Sequence, residues 1–167
     1  MLTLTELQPF SGFPCQIFAA SQPVKESATT LLDPLKVFFK TWESHGTPVA
    51  GTALFLEERF LVVAHRPQEI SGCGRDALLF FVQDLAKKLG IQWLGGGHIF
   101  FKNKDGLVVN VDRMGFKQLF LQGEITPETM VFDTLIAGVD DLLQNRFLRP
   151  ASQTWHSRLM VPASSIA

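Results

Sequence analysis

Residues Val49–His65 read VAGTALFLEERFLVVAH. Two apolar runs, Val49–Leu56 and Arg59–His65, flank Glu57-Glu58. Both have strand length and strand composition, so the segment predicts two strands joined by a short connection. The connection has neither Gly nor Asn, so the hairpin is inferred from its brevity alone. Upstream, Ala28, Leu31, Leu32, Leu35, Phe38, Phe39 and Trp42 recur at steps of three and four and predict one apolar helical face. Pro34 lies inside this pattern; it either kinks one helix or, with Asp33 as N-cap, opens a second. Gly46 is a stop, and Pro48 blocks continuation. Further upstream, Cys15–Ala20 (CQIFAA) follows the turn residues Ser11–Pro14 and reads as a strand.

Downstream, 67–74 reads as a loop. Leu78, Phe81, Val82, Leu85 and Leu89 then form one helical face, with Lys87 and Lys88 at its C-terminal end and Gly90 as stop. His98–Lys102 and Leu107–Val111 flank Asn103-Lys104-Asp105-Gly106, a hairpin signature. The remainder reads as mainly helical. Asp112 caps a helix through Phe116, Leu119 and Phe120 to Gly123, and Asp133 caps another through Leu143. Ser152–Leu159 is expected to add a last helical turn around Trp155, after the break at Pro150. The order β-α-β-β-α-β matches a split βαβ arrangement. The expected fold is α+β: a two-layer antiparallel sheet with helices on one face, a ferredoxin-like core and a helical C-terminal extension. Residues 1–160 are expected to form a single domain and 161–167 a flexible tail.

Composition narrows function by exclusion. The 167 residues carry 15 Lys and Arg against 16 Asp and Glu, a net charge of −1. No global field draws the chain to nucleic acid or anionic lipid, so neither is expected as a partner. No apolar run approaches the roughly 20 residues of a membrane helix, so no membrane association is expected. There are 15 Phe, 3 Trp and no Tyr. Phe has no polar handle, so this content reads as core rather than as base-stacking platforms. The N-terminus, MLTLTE, lacks the basic and apolar regions of a signal peptide. With only Cys15 and Cys73, reduced thiols and a cytoplasmic location are expected.

Several catalytic signatures fail. A P-loop requires a Gly-Lys pair, and none occurs, so ATP hydrolysis is not expected. Gly72-Cys73-Gly74-Arg75-Asp76-Ala77 matches G-x-G-x-x-A, but six residues separate it from the preceding strand and no acidic ribose ligand follows. Gly95-Gly96-Gly97 precedes a strand and reads as a turn. His45, His65, His98 and His156 are scattered without metal-ligand spacing. No G-x-S-x-G elbow is present. No cofactor and no metal are expected.

The segment Ser71–Asp76 retains a signal. Cys73 falls at the start of the clearest helix, where unpaired N–H groups and the dipole favour a thiolate. Gly72 and Gly74 permit close backbone approach, Arg75 adds positive charge, and Ser71 caps the helix or donates to a ligand. A small anionic or thiol-reactive ligand is the partner this implies. The competing reading makes Cys73 a packing residue, Ser71 a cap and Asp76 a dipole complement. A catalytic cysteine needs a base, for which His65, His45 and His98 are the candidates.

Trp42-Glu43-Ser44-His45-Gly46-Thr47-Pro48, Arg59-Phe60-Leu61, Ser71-Gly72-Cys73 with Asp76, Gly123-Glu124-Ile125-Thr126 with Val131-Phe132, and Pro150 with Trp155 occur in one order. Together they resemble a small bacterial family of about this length, whose members are often called ABC transporter ATPases. The likeness spans about Cys15 to Leu159 and rests on W-x-x-H-G and S-G-C-x-x-D motifs. It implies no established activity, and the ATPase name conflicts with the missing P-loop. It does imply that Trp42, His45 and Gly46 share a site with Ser71, Cys73 and Asp76. Two functions follow: a small enzyme or redox protein using Cys73, or a non-enzymatic interaction module, self-associating through a Phe-rich surface.

Overall fold

The structure is a computed structural model that describes residues 4–25, 27–67 and 69–161. After a 3-10 segment at Leu4–Phe10 come β1 (Cys15–Ala20), α1 (Ser27–Phe39), β2 (Glu43–Ser44) and β3 (Thr47–Pro48). Next are β4 (Ala50–Leu56), β5 (Phe60–Arg66), α2 (Gly72–Lys88) and β6 (Trp93–Leu94). Then follow β7 (His98–Lys102), β8 (Val108–Asp112), α3 (Arg113–Leu121), β9 (Met130–Phe132), α4 (Val139–Leu143) and β10 (Leu148–Pro150). Two 3-10 turns, Ala151–Gln153 and Trp155–Leu159, follow β10. The fold class is α+β, with helices and antiparallel sheets. The chain divides into two compact units: 1–94 with 136–144, and 95–135 with 145–167.

In the first unit the strand order is β4-β5-β1-β6, with every neighbouring pair antiparallel. Register sets Phe18 opposite Leu61 and Ala53 opposite Val63, so these residues share one face. On that face Leu61 and Val63 pack with Leu31, Leu32 and Leu35 of α1 and Leu78 and Val82 of α2. Helical spacing of these apolar residues is therefore what seats both helices on the sheet. Pro34 is accommodated inside a single α1. β5 is buried from Phe60 to His65, on both its faces. The 3-10 segment, with buried Leu7 and Phe10, lies against β4 and β5. The layer opposite the helices is thus covered rather than open, which is why RFLVVAH is a continuous apolar run instead of an alternation.

Two features depart from expectation. The sixth element of the first unit is Trp93–Leu94, paired with Ala20 and Ala19 of β1, and His98–Lys102 begins a different sheet. Gly90 (φ 67°) ends α2, and the Ile91 N–H closes onto the Ala86 carbonyl at 2.8 Å, so the chain rejoins the sheet at once. Residues 43–48 form a tight hairpin, not a helix end, with His45 (φ 51°) and Gly46 (φ 75°) both left-handed. Glu57 and Glu58 are likewise left-handed (φ 50° and 55°), so the β4–β5 turn forms without the residues that favour it.

The second unit has the order β10-β9-β7-β8, again antiparallel throughout. Its hairpin turns at Asn103, whose side-chain oxygen accepts from the Asp105 and Leu107 N–H groups. Asp112 caps α3 through the Gly115 N–H at 2.7 Å. Phe101, Phe116, Ile125 and Val131 form the core. Where a helical extension was expected, β9 and β10 complete the sheet, and among the described residues after Asp133 only Val139–Leu143 is α-helical. Asp133 caps no helix; it is buried, accepts from the Leu135 N–H and faces Arg149 at 3.5 Å. Pro150 is tolerated because β10 is an edge strand. Beyond Val161, the expected tail lies outside the described residues.

Candidate functional site

Ser71 precedes α2 in extended conformation and accepts from the Gly74 N–H at 3.1 Å, an N-cap. Ser44, at the end of β2, donates its hydroxyl to Ser71 Oγ at 3.0 Å and accepts the Ser71 N–H at 2.8 Å. The Trp42 indole N–H donates to the Gly74 carbonyl at 2.9 Å. A Cβ on Gly74 would touch Ser44 and Ser71 at 3.4 Å, so the hairpin lies directly against the first turn. Trp42, Ser44, Ser71 and Gly74 are thus one polar clasp joining residues about 30 positions apart.

The clasp takes up half of the backbone donors that the sequence offered to a ligand. Four N–H groups at a helix start lack intrahelical acceptors. Two of them, on Ser71 and Gly74, are taken by serine hydroxyls. Gly72, Cys73, Arg75 and Asp76 are exposed around it. Cys73 is a free surface thiol, not a core filler. His45 is exposed at the hairpin tip, where its backbone rather than its ring answers a local demand.

His65 is buried, with Nδ1 3.0 Å from the Pro67 carbonyl and its ring edge-on to Trp42 at 5.7 Å. The Pro67 oxygen only accepts, so Nδ1 carries the proton. Burial lowers the His65 pKa, the Pro67 bond opposes this, and the Arg75 charge adds to it. His65 is therefore neutral and occupied by structure. No hydrogen bond joins Cys73 to a histidine among the described residues. His98 belongs to the second unit. The structure therefore brings together Trp42, Ser71 and Gly74, and leaves His45, Cys73, Arg75 and Asp76 as separate surface groups. Sequence reasoning missed Ser44. The His45-Gly46 pair was its available signal, because a tight turn there sets Ser44 opposite Thr47.

Two features of the second unit were also not foreseen. A cavity of about 460 Å³ has Phe101, Leu119 and Ile125 among its lining, with Lys104, Glu124 and Glu128 exposed at its rim. A buried polar cluster surrounds His156, which is 1% exposed. Thr154 donates its hydroxyl to the Ala151 carbonyl at 3.0 Å, so the 2.8 Å contact with His156 Nδ1 is donated by the ring. Trp155 stacks on His156 at 3.9 Å. Among the described residues no group of three or more His, Cys, Asp or Glu is placed to hold a metal ion. No helix among them is long and apolar enough to cross a membrane.

The two thiols differ sharply. Cys15 is buried in β1, and burial, with Asp141 adding, pushes its pKa up to about 12. Alkylation near neutral pH is expected to label Cys73 alone in the folded protein. Against an ordinary value of 9.0, the Cys15 thiolate fraction is lowered about a thousandfold. Mass spectrometry after limited iodoacetamide treatment checks this, and equal labelling of both thiols would refute it. Set against known proteins, the chain matches no family model, no curated protein and no solved structure, so its function is argued from its own residues.

Proposed function

We propose that the chain is a non-enzymatic, cytoplasmic interaction module whose first unit is a split βαβ, ferredoxin-like fold. The antiparallel order β4-β5-β1-β6 with both helices on one face supports the fold reading. The functional reading is carried by one observation: large apolar side chains stand outward on the helices. Phe80 of α2 is 67% exposed and Val37 of α1 is 63% exposed. They precede Phe81 and Phe38, whose rings stack 4.5 Å apart, so they project from adjoining helices. Leu79 adds a third exposed apolar group. Cys73 lies seven positions before Phe80, on the same outward face of α2. Exposed apolar surface on a helix layer is what a protein partner covers.

By contrast, the groups that would run thiol catalysis are committed elsewhere: Ser71 and Ser44 to the clasp, His65 to Pro67. The exposure of Cys73 favours a second reading, a site for a thiol-reactive or small anionic ligand. Cross-linked purification of tagged wild type, Phe80→Asp and Cys73→Ser separates the two. Both substitutions are at the surface and should alter stability by less than about 0.5 kcal/mol. An interaction module loses its cross-linked partner in Phe80→Asp and keeps it in Cys73→Ser. Loss in Cys73→Ser alone would overturn the module in favour of a thiol site.

A further inference from the structure

β4 is an edge strand of the first sheet; among the described residues its only strand partner is β5. Its sequence, AGTALFL, has no charged residue and no proline. Natural edges are normally blunted by lysine, proline, bulges or brevity, because an open row of N–H and C=O groups recruits another strand. The other edge of this sheet, β6, has two residues, whereas β4 has seven. A cleft of about 330 Å³ runs beside its first half, lined by Phe39, Gly51, Thr52 and Ala53, with two lysines, Lys36 and Lys40, and one carboxylate, Glu6, at its walls. The Phe39 ring lies where a Gly51 side chain would be, with an added Cβ only 2.5 Å from Phe39 Cδ1.

We propose that β4 pairs antiparallel with β4 of a second copy of this chain, making one continuous sheet through both. The strand is self-complementary in this arrangement. Full overlap of its seven residues places Ala53 on the two-fold axis. Thr52 then meets Leu54 of the second copy, and Ala50 meets Leu56. Gly51 meets Phe55, and the missing Gly51 side chain leaves the strand backbone open to close approach on that side. No like charges face each other in this register. Charge outside the strand fits as well. Glu58 lies just past Leu56, so in the second copy it approaches the Ala50 end of the cleft, whose walls carry Lys36 and Lys40 against the single Glu6. The two-fold repeats this acidic-to-basic match at the other end. This pairing involves neither α2 nor its exposed face, so it stands apart from the reading of Phe80.

Cysteine cross-linking of the purified full chain in a Cys73→Ser background tests the register. Directly opposed residues in an antiparallel pair have Cα atoms about 4.5–5.5 Å apart, within disulfide reach. With an added thiol oxidant, Ala53→Cys is expected to give a disulfide-linked dimer. Ala50→Cys is expected not to, because its symmetry mate lies about 20 Å away along the strands. Sedimentation velocity gives an independent reading that leaves the strand itself unchanged. Wild type is expected to sediment as a dimer, Lys40→Glu to weaken dimerisation at least about tenfold, and Lys40→Glu with Glu58→Lys to restore it. A monomeric wild type, equal cross-linking at positions 50 and 53, or absence of rescue would overturn the proposal.

Discussion

Replacing Trp42 with alanine is expected to destabilise the protein by about 3–5 kcal/mol, the range for emptying a buried aromatic site. Trp42 is 3% exposed and packs with Leu35, Val49 and Leu78. Its ring also meets Phe38 at 5.5 Å, Phe39 at 5.9 Å and His65 at 5.7 Å. Its N–H is a second donor to the Gly74 carbonyl, which α2 already uses, so truncation opens a cavity and also removes a buried hydrogen bond. Trp42→Phe keeps most of the packing and loses the donor, and is expected to cost about 1–2 kcal/mol. Urea unfolding followed by far-ultraviolet circular dichroism separates the two effects. A Trp42→Phe loss as large as that of alanine would assign the stability to the hydrogen bond instead of the ring.

Acidification is expected to weaken the fold through His156. Burial pushes its pKa down to about 4, with Asp133 opposing, against an ordinary value of 6.5. The folded ring is therefore neutral over the range in which the unfolded ring takes up a proton. Between about pH 6.5 and pH 4 the unfolded state binds more protons, so stability is full above this window and falls as pH drops through it. A shift of this size corresponds to about 3 kcal/mol. His65, whose pKa burial also lowers, acts in the same direction. Unfolding measured at about pH 7 and about pH 4 should show a loss in wild type that is smaller by about 2–3 kcal/mol in His156→Phe. An equal loss in both proteins would show that carboxylates alone set the acid limit.

The elements legible from sequence were those whose information is local. The Leu78–Leu89 face, the lysines at its end and Gly90 predict α2, and Ser71 caps it as its residue type allows. Asn103–Gly106 predicts a hairpin, and Asp112 predicts the start of α3; both are present. Here periodicity at three and four, a short polar side chain and a glycine act within one or two turns of chain. The antiparallel core was legible for the same reason, since two helical faces and an intervening hairpin leave few ways to bury their apolar sides.

The candidate site was less legible. Cys73 and its neighbours stand out by residue type, but residue type does not tell whether a serine serves a ligand or another serine. That Ser71 is held by Ser44, and Gly74 by Trp42, depends on a hairpin at His45-Gly46 that folds back onto α2. Likewise β6, β9 and β10 have two or three residues, too few to display a period of two. Trp93-Leu94 becomes a strand because β1 offers it an edge, and Met130–Phe132 because β7 does. Local sequence therefore set the helices, caps and long hairpins of this chain. Tertiary pairing assigned the short strands and turned its most reactive-looking segment into a clasp, because buried N–H and C=O groups must find partners wherever the fold brings them.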